Sequence, residues 1–384
     1  MKNTNKKNIF LSLLLASSLY GSTYEYPQLY KDTKVMGMGG ATIAIGGQTS
    51  SLFYNTAGLS NIPAEYGWEV DILNLNVAWN TNIVDFTNDL DEATSDDSDS
   101  DVEQNAKTLK VVNDHLGENL HMSVNTAILS IGKKFDKYSF GIMPIAGLYV
   151  NAKTHRGGGS AGILEAQGMG YSGISFGIAR DFNDALGMTN LSVGVGIKAI
   201  SHKTFYHDFT LAELIDNKDD LATYIDDNYA KEETSTMYDV GFKANISKNL
   251  TAGLSFQNIG GMGDSDIIEI PMTIGVGLGY SGRFDRTWLN QYQLAFDLID
   301  ITKQYTQDED ITKRTRAGLS VNLLDGWAGT VGLQAGLYQG HPSFGADIRF
   351  TMLKIAYSSY AEEVGAYSGQ DPDRRHMLQV SFGW

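Results

Sequence analysis

The sequence predicts an all-β protein. The expected form is a transmembrane antiparallel β-barrel of about fourteen strands, with an N-terminal plug in its lumen and helical loops at one end. Three observations carry that expectation. Apolar residues recur at every second position from Glu65 onward. Long and short connections alternate between the strands. The chain closes on a strand that ends in an aromatic residue, Trp384.

"MKNTNKKN" at the N-terminus is positively charged, and "IFLSLLLASSLYG" is apolar but too short to cross a bilayer as a helix. Gly21 and Ser22 follow, so residues 1–22 read as a cleaved signal peptide for export to the outer membrane of a Gram-negative cell. Removing Lys2, Lys6 and Lys7 leaves the mature chain more acidic than the whole sequence, whose net charge is −16. That sign argues against nucleic acid as a partner. The sequence has no cysteine, which excludes disulfides, thiolate metal sites and lipid attachment at Cys.

Residues 23–64 contain "MGMGGATIAIGGQTSSLFYNTAGLS", from Met36 to Ser60, too polar and Gly-rich for an ordinary helix. A barrel of about fourteen strands is too wide to be filled by its own wall. Small residues allow close backbone approach, so this segment reads as a plug inside the lumen.

Residues 65–384 supply the barrel, with strands expected near 65–80, 120–134, 138–153, 164–181, 189–207, 234–247, 250–260, 271–281, 290–301, 313–323, 328–338, 343–350, 351–361 and 375–384. In "TIGVGLGYS", Ile274, Val276, Leu278 and Tyr280 lie opposite Gly275, Gly277, Gly279 and Ser281. In "HMLQVSFGW", Leu378, Val380, Phe382 and Trp384 lie opposite Met377, Gln379, Ser381 and Gly383. A soluble sandwich or soluble closed barrel would turn the apolar rows inward. The membrane reading is favoured because the opposite faces carry Lys198, Asp239, Lys243, Asp297, Arg314, Arg316, Asp347, Arg349 and Lys354, which suit a wet lumen.

Long connections fall near 81–119, 154–163, 208–233, 261–270, 302–312 and 362–374. Short ones fall at "FDK", "SKN" and "DGWA". That alternation separates an outer loop end from a periplasmic turn end. "YQGHP" is short where a loop is expected, and the turns at 182–188 and 282–289 are longer than ideal. Helical inserts are expected near 85–118 and 208–232. Val102, Ala106, Leu109, Val112 and Leu116 keep a helical spacing, and Thr210 and Glu213 have the spacing of a capping box.

"GMGGATIAIGGQTSSLFYNTAGLS" resembles the N-terminal hatch of the FadL family of long-chain fatty-acid and hydrocarbon transporters, in which a Gly-rich run leads to Asn-Pro-Ala before the first strand. Asn55, Thr56, Ala57 and Gly58 occupy the matching positions. Thr56 replaces the family's proline, so the rigid turn is not enforced here. The acidic helical insert after the first strand, the second insert after the fifth and the ending "DRRHMLQVSFGW" are similar to barrel proteins often labelled conjugal transfer TraF. The resemblance covers nearly the whole mature chain. It implies an outer-membrane channel, not an enzyme, that takes up small hydrophobic molecules passively, binds them in its lumen and releases them sideways near the third strand.

That strand is "KYSFGIMPIAGLYVN". Pro144 has no N–H to give a neighbouring strand, and Gly141 and Gly147 flank it. A bulge or lateral gap is expected there, with Met143, Ile145 and Tyr149 facing inward. Lys198, Arg314, Arg316, Arg349 and Lys354 form a candidate set for an anionic head group, or pair with lumen acids. The acidic run around Asp96, Asp97, Asp99 and Asp101 lacks the register of a Ca²⁺ loop. His202 and His207 have no third ligand or serine nucleophile at an interpretable spacing. No catalytic, metal or cofactor site is expected. The expected partners are outer-membrane lipid, a hydrophobic small molecule and the barrel-assembly machinery, which would read the C-terminal strand ending at Trp384. The alternative is a non-transporting barrel that scaffolds or assembles an envelope secretion or conjugation system.

Overall fold

The computed structural model describes residues 25–63, 68–95, 100–155, 162–183, 190–217, 220–263, 268–286, 289–305, 310–326 and 329–384. The expected signal peptide and most of the acidic run near Asp97 lie outside them. The strands are β1 (Glu69–Asn80), β2 (Asn119–Phe135), β3 (Tyr138–Thr154), β4 (Leu164–Asn183), β5 (Asn190–Phe209), β6 (Lys231–Asn245) and β7 (Leu250–Ile259). They continue as β8 (Thr273–Arg286), β9 (Leu289–Leu298), β10 (Thr315–Gly326), β11 (Gly329–Tyr338), β12 (His341–Phe350), β13 (Leu353–Glu363) and β14 (Pro372–Gly383). Each pairs antiparallel with its chain neighbour, and β14 returns to β1, so the 14 strands close one barrel. At that seam the Val70 and Trp384 backbones exchange two hydrogen bonds of 2.9 Å.

The two faces of the wall separate as the alternation demands. Leu278, Phe296 and Leu333 point outward and are 47–50% exposed, whereas Lys198, Arg316 and Ser320 point inward and are at most 3% exposed. Apolar side chains on the outside of a closed sheet have lipid as their solvent, and charges on the inside are held by the lumen. This arrangement is that of a transmembrane β-barrel.

The turns follow local backbone chemistry. At the short "YQGHP" connection, Gln339 and Gly340 have φ of 54° and 87°. Two left-handed residues are what a two-residue hairpin between twisted strands requires. The connection at 282–289 is tighter than its sequence suggests, because β8 runs on to Arg286 and pairs with Leu289. Arg314 belongs to a one-turn helix (Ile311–Arg314) and not to a strand.

β4 and β5 are 20 residues long, about twice what a tilted strand needs to cross the bilayer. Their loop-side ends carry the second insert, through Leu164, Ala166 and Phe205, whereas the first insert rests on Leu120 of β2 and Ala152 of β3. The first insert forms two helices, Thr81–Thr94 and Asp101–Asp114, and Gly117 leaves the second at φ 86°. The second insert is capped by Thr210 and Glu213 but breaks into Leu211–Asp216 and Leu221–Asn228. Phe86, Val111 and Val112 form one apolar core and Phe209, Leu221 and Ile225 another, each with Ala152 at its edge.

Candidate functional site

Residues 25–63 run within the wall and touch inward-facing positions around the whole circumference. Glycines on the strands make the room. A Cβ on Gly241 would lie 2.0 Å from Asn55 Oδ1, one on Gly194 2.4 Å from the Ala57 nitrogen, and one on Gly318 2.0 Å from the Met38 oxygen. Widely separated parts of the wall, β5 and β6 in one place and β10 in another, therefore meet the segment backbone directly, and Gly345 on β12, across the barrel from β5, would place a Cβ 2.9 Å from the Gly37 Cα. Within the segment Gly46 sits on Gly58 with φ 62°, where a Cβ would fall 2.4 Å from the Gly58 Cα.

Asn55 explains the missing proline. Its Oδ1 accepts from the Ala57 N–H at 3.1 Å, capping a 3₁₀ helix at Thr56–Asn61. Its Nδ2 donates to the Ile43 carbonyl at 2.8 Å and to the Phe242 carbonyl at 3.1 Å. A side-chain cap fixes the entry to this turn, so Thr56 serves where a proline's fixed φ would otherwise do so.

A second tie at the loop end was not anticipated from the sequence. Arg375 donates to both Glu25 oxygens, at 2.8 and 2.9 Å, and to Asp373 at 2.7 Å. Lys31 donates to Glu362 at 2.7 Å, and Asn151 donates to Glu25 at 2.9 Å. All these groups are buried. Burial pushes the Glu25 carboxyl up, but Arg375 and then Lys31 outweigh it and hold the group well below its ordinary value. The signal lay in "TYEYPQLYKD" and "DPDRRHM", whose charges look like surface charges until the chain ends are brought together. A smaller tie holds the turn end, where Ser60 Oγ meets Ser192 Oγ at 2.9 Å and Lys243 Nζ at 2.8 Å.

Around Pro144 the two neighbours of β3 differ. Pairing with β4 runs unbroken from Tyr138 to Thr154. Pairing with β2 slips between Ala127 and Ile131, so Ile128, Leu129 and Ser130 stand opposite Met143 and Pro144. Leu129 has φ 54°, and Ile128 and Leu129 both point outward, which breaks the alternation locally. A bulge is one of the few places in a sheet that accepts proline. Register also slips in four other strand pairs, but this one has a proline in mid-strand. Met143, Ile145 and Tyr149 are buried in an apolar cluster with Leu29, Tyr30, Leu52 and Leu59 of the N-terminal segment. Gly141 and Gly147 seat Leu59 and Tyr171.

The five candidate cations do not gather at one site: Lys198 and Arg316 line one cavity, and Arg349 and Lys354 line another. Lys198 is spent on Asp239, Gln257 and Asn258, at 2.8–2.9 Å. Arg349 and Lys354 flank a turn-end hairpin, and Lys354 pairs with Asp71 at 2.6 Å. Arg314 reaches the Asp310 and Asp300 carbonyls at 3.5 Å. Arg316 has its guanidinium 4.0 Å from the centre of the Tyr338 ring. Two cavities lie beside these cations. One of about 100 Å³ lies beside Arg316 and Lys198, and one of about 260 Å³ lies at the turn end, bounded by Ser130, Met143, Asp71, Arg349 and Lys354.

No protein family matches the chain, and no curated protein matches its sequence. Solved structures do resemble it. The CymD monoaromatic hydrocarbon channel superposes with a TM-score of 0.53 at 9% identity, over 93% of this chain and 98% of that one. The Ralstonia pickettii toluene transporter TbuX gives 0.51 at 11%, over 93% and 99%. A deltaS2S3 mutant of the TodX monoaromatic hydrocarbon channel gives 0.52 at 12%, over 92% and 98%. The chain thus has the fold of FadL-like outer-membrane channels, and at these identities the likeness is one of fold.

Proposed function

We propose that this chain is an outer-membrane channel for passive entry of small hydrophobic molecules. The residues from Glu25 to Pro63 act as a hatch. Ligand enters at the loop end, binds against the hatch and leaves sideways between β2 and β3. The observation that carries this reading is the wall irregularity opposite Pro144, which backs directly onto the apolar cluster of Met143, Ile145 and Tyr149. Elsewhere the wall presents many charges and glycines to the interior. An apolar surface behind a weakened ladder gives a greasy solute a path that never requires it to re-enter water. The fold shared with hydrocarbon channels supports the same reading.

The hatch is seated backbone against glycine, so passage requires it to yield. The same packing favours the second reading, a solidly stoppered barrel that scaffolds an envelope assembly.

The two readings separate in one experiment. Cells lacking the chain are complemented with the wild type or Pro144→Val, and uptake of labelled toluene and decanoate is followed. A channel restores uptake, and Pro144→Val restores several-fold less. Equal uptake with and without the chain rejects transport. Equal uptake by wild type and Pro144→Val rejects the lateral exit.

A further inference from the structure

We propose that the cavity beside Arg316 is a binding site for a phenol, a single ring carrying one hydroxyl group. This rests on the transport reading and narrows its substrate class. The cavity lies between the hatch and strands β5, β7, β8, β10 and β11. Its walls are aromatic, with Tyr26 stacked on Tyr305 at 4.3 Å and the Tyr338 ring beside them.

Three buried polar atoms on residues lining this cavity have no protein partner: Arg316 Nη2, Tyr26 Oη and Gln28 Oε1. Arg316 is 1% exposed, and its Nη1 is already used on the Lys313 and Thr315 carbonyls at 2.6 and 3.0 Å. Leaving such groups unsatisfied is costly, so the cavity calls for a polar occupant. The set is specific. Nη2 only donates, the amide oxygen of Gln28 only accepts, and the Tyr26 hydroxyl can donate. One ligand hydroxyl has one proton to give and two lone pairs to receive, which matches all three.

Competing chemistries fit less well. A plain hydrocarbon leaves all three atoms unpaired. A carboxylate has no proton for Gln28. It also adds negative charge where Asp300 lines the cavity and Asp297 stands opposite Arg316 in the strand register, both fully buried. The aromatic walls favour a ring over an open chain. About 100 Å³ is less than the roughly 150 Å³ of an apolar cavity that admits benzene, so the cavity excludes a long acyl chain, and a single ring enters only as the hatch residues lining it give way.

The test is calorimetric titration of the purified full-length mature protein in detergent with phenol, toluene and benzoate. Phenol is expected to bind below about 1 mM, with toluene and benzoate at least about tenfold weaker. Arg316→Met and Gln28→Leu should each weaken phenol binding about tenfold and leave toluene unaffected. Gln28 lies on the hatch, so its variant reports even where Arg316→Met fails to fold. Toluene or benzoate binding as tightly as phenol overturns the proposal, as does phenol binding that neither variant alters. Absence of phenol binding up to roughly 10 mM means that the cavity holds only water, and also overturns it. Toluene uptake by cells that persists in any of these cases leaves the transport reading standing.

Discussion

Arg375 grips Glu25 with two parallel hydrogen bonds, Nη1 to Oε1 at 2.8 Å and Nη2 to Oε2 at 2.9 Å, across 350 residues of sequence. The pair joins the start of the described chain to its last strand. Two parallel bonds from a planar guanidinium fix direction as well as distance, so the N-terminal segment is held in one orientation at the loop end.

Glu25→Gln leaves Arg375 and Lys31 buried with less negative charge. A loss of about 3 kcal/mol is expected, read as a lower unfolding temperature in detergent, together with a raised ion leak in planar bilayers. Glu25→Gln combined with Arg375→Met should cost less than the sum of the two single changes, because each removes the other's partner. Strictly additive losses would show that the clamp does not act as a unit.

The same pair sets an acid limit. Glu25 is held below its ordinary value of 4.5, so the folded state resists its protonation. Its stabilisation is complete above 4.5 and is lost as the pH falls below that value. Lys31 runs the other way. Burial is the largest influence and lowers it, but Glu362, Tyr360, Tyr338 and Glu25 together outweigh burial and raise it well above 10.5, so its contribution fades only as the pH rises beyond 10.5. Leak through the wild type should be flat between these limits and grow below pH 4.5. Glu25→Gln should leak at neutral pH and show a weaker acid rise. An identical acid rise in both proteins would assign it to other groups.

The glycine seats are testable one at a time. Gly241→Ala drives a Cβ to 2.0 Å from Asn55 Oδ1, whereas the same change at Gly170 meets nothing nearer than Leu148 at 3.9 Å. The first should lose about 1–3 kcal/mol and loosen the hatch to added protease. The second should stay within about 1 kcal/mol of the wild type. Equal stability of the two variants would place the hatch elsewhere.

Ser60 and Ser192 offer a lock. Their hydroxyl oxygens are 2.9 Å apart, and the chain has no cysteine to interfere. Ser60→Cys with Ser192→Cys should oxidise to a bridge between hatch and wall. Uptake of labelled toluene should then fall several-fold and return with dithiothreitol. Full uptake in the oxidised state would mean that ligand passes without moving the hatch at Ser60.

The barrel was legible because lipid imposes period two on one face of every strand, and the run from Thr273 to Tyr280 shows it without exception. The close seating of residues 25–63 follows from small residues clustering where backbones must touch, as at Gly46 and Gly58. The clamp was not, because Glu25, Lys31, Glu362 and Arg375 become neighbours only once the barrel closes and the segment enters it. The scatter of the five cations was hidden for a related reason. Alternation gives the face of a residue but not its height, and Arg349 and Arg316 belong to opposite ends. The cavity beside Arg316 depends on atoms left without partners, a property of packing alone.

The account stands on which face of the wall meets hydrocarbon, and single cysteines in this cysteine-free chain measure that directly. Environment-sensitive fluorophores at Leu278→Cys, Leu333→Cys and Ser320→Cys are compared in lipid vesicles that carry nitroxide-labelled acyl chains. The labels at 278 and 333 should be strongly quenched, and the label at 320 should not. Quenching at 320 with none at 278 and 333 would turn the barrel inside out and contradict the account.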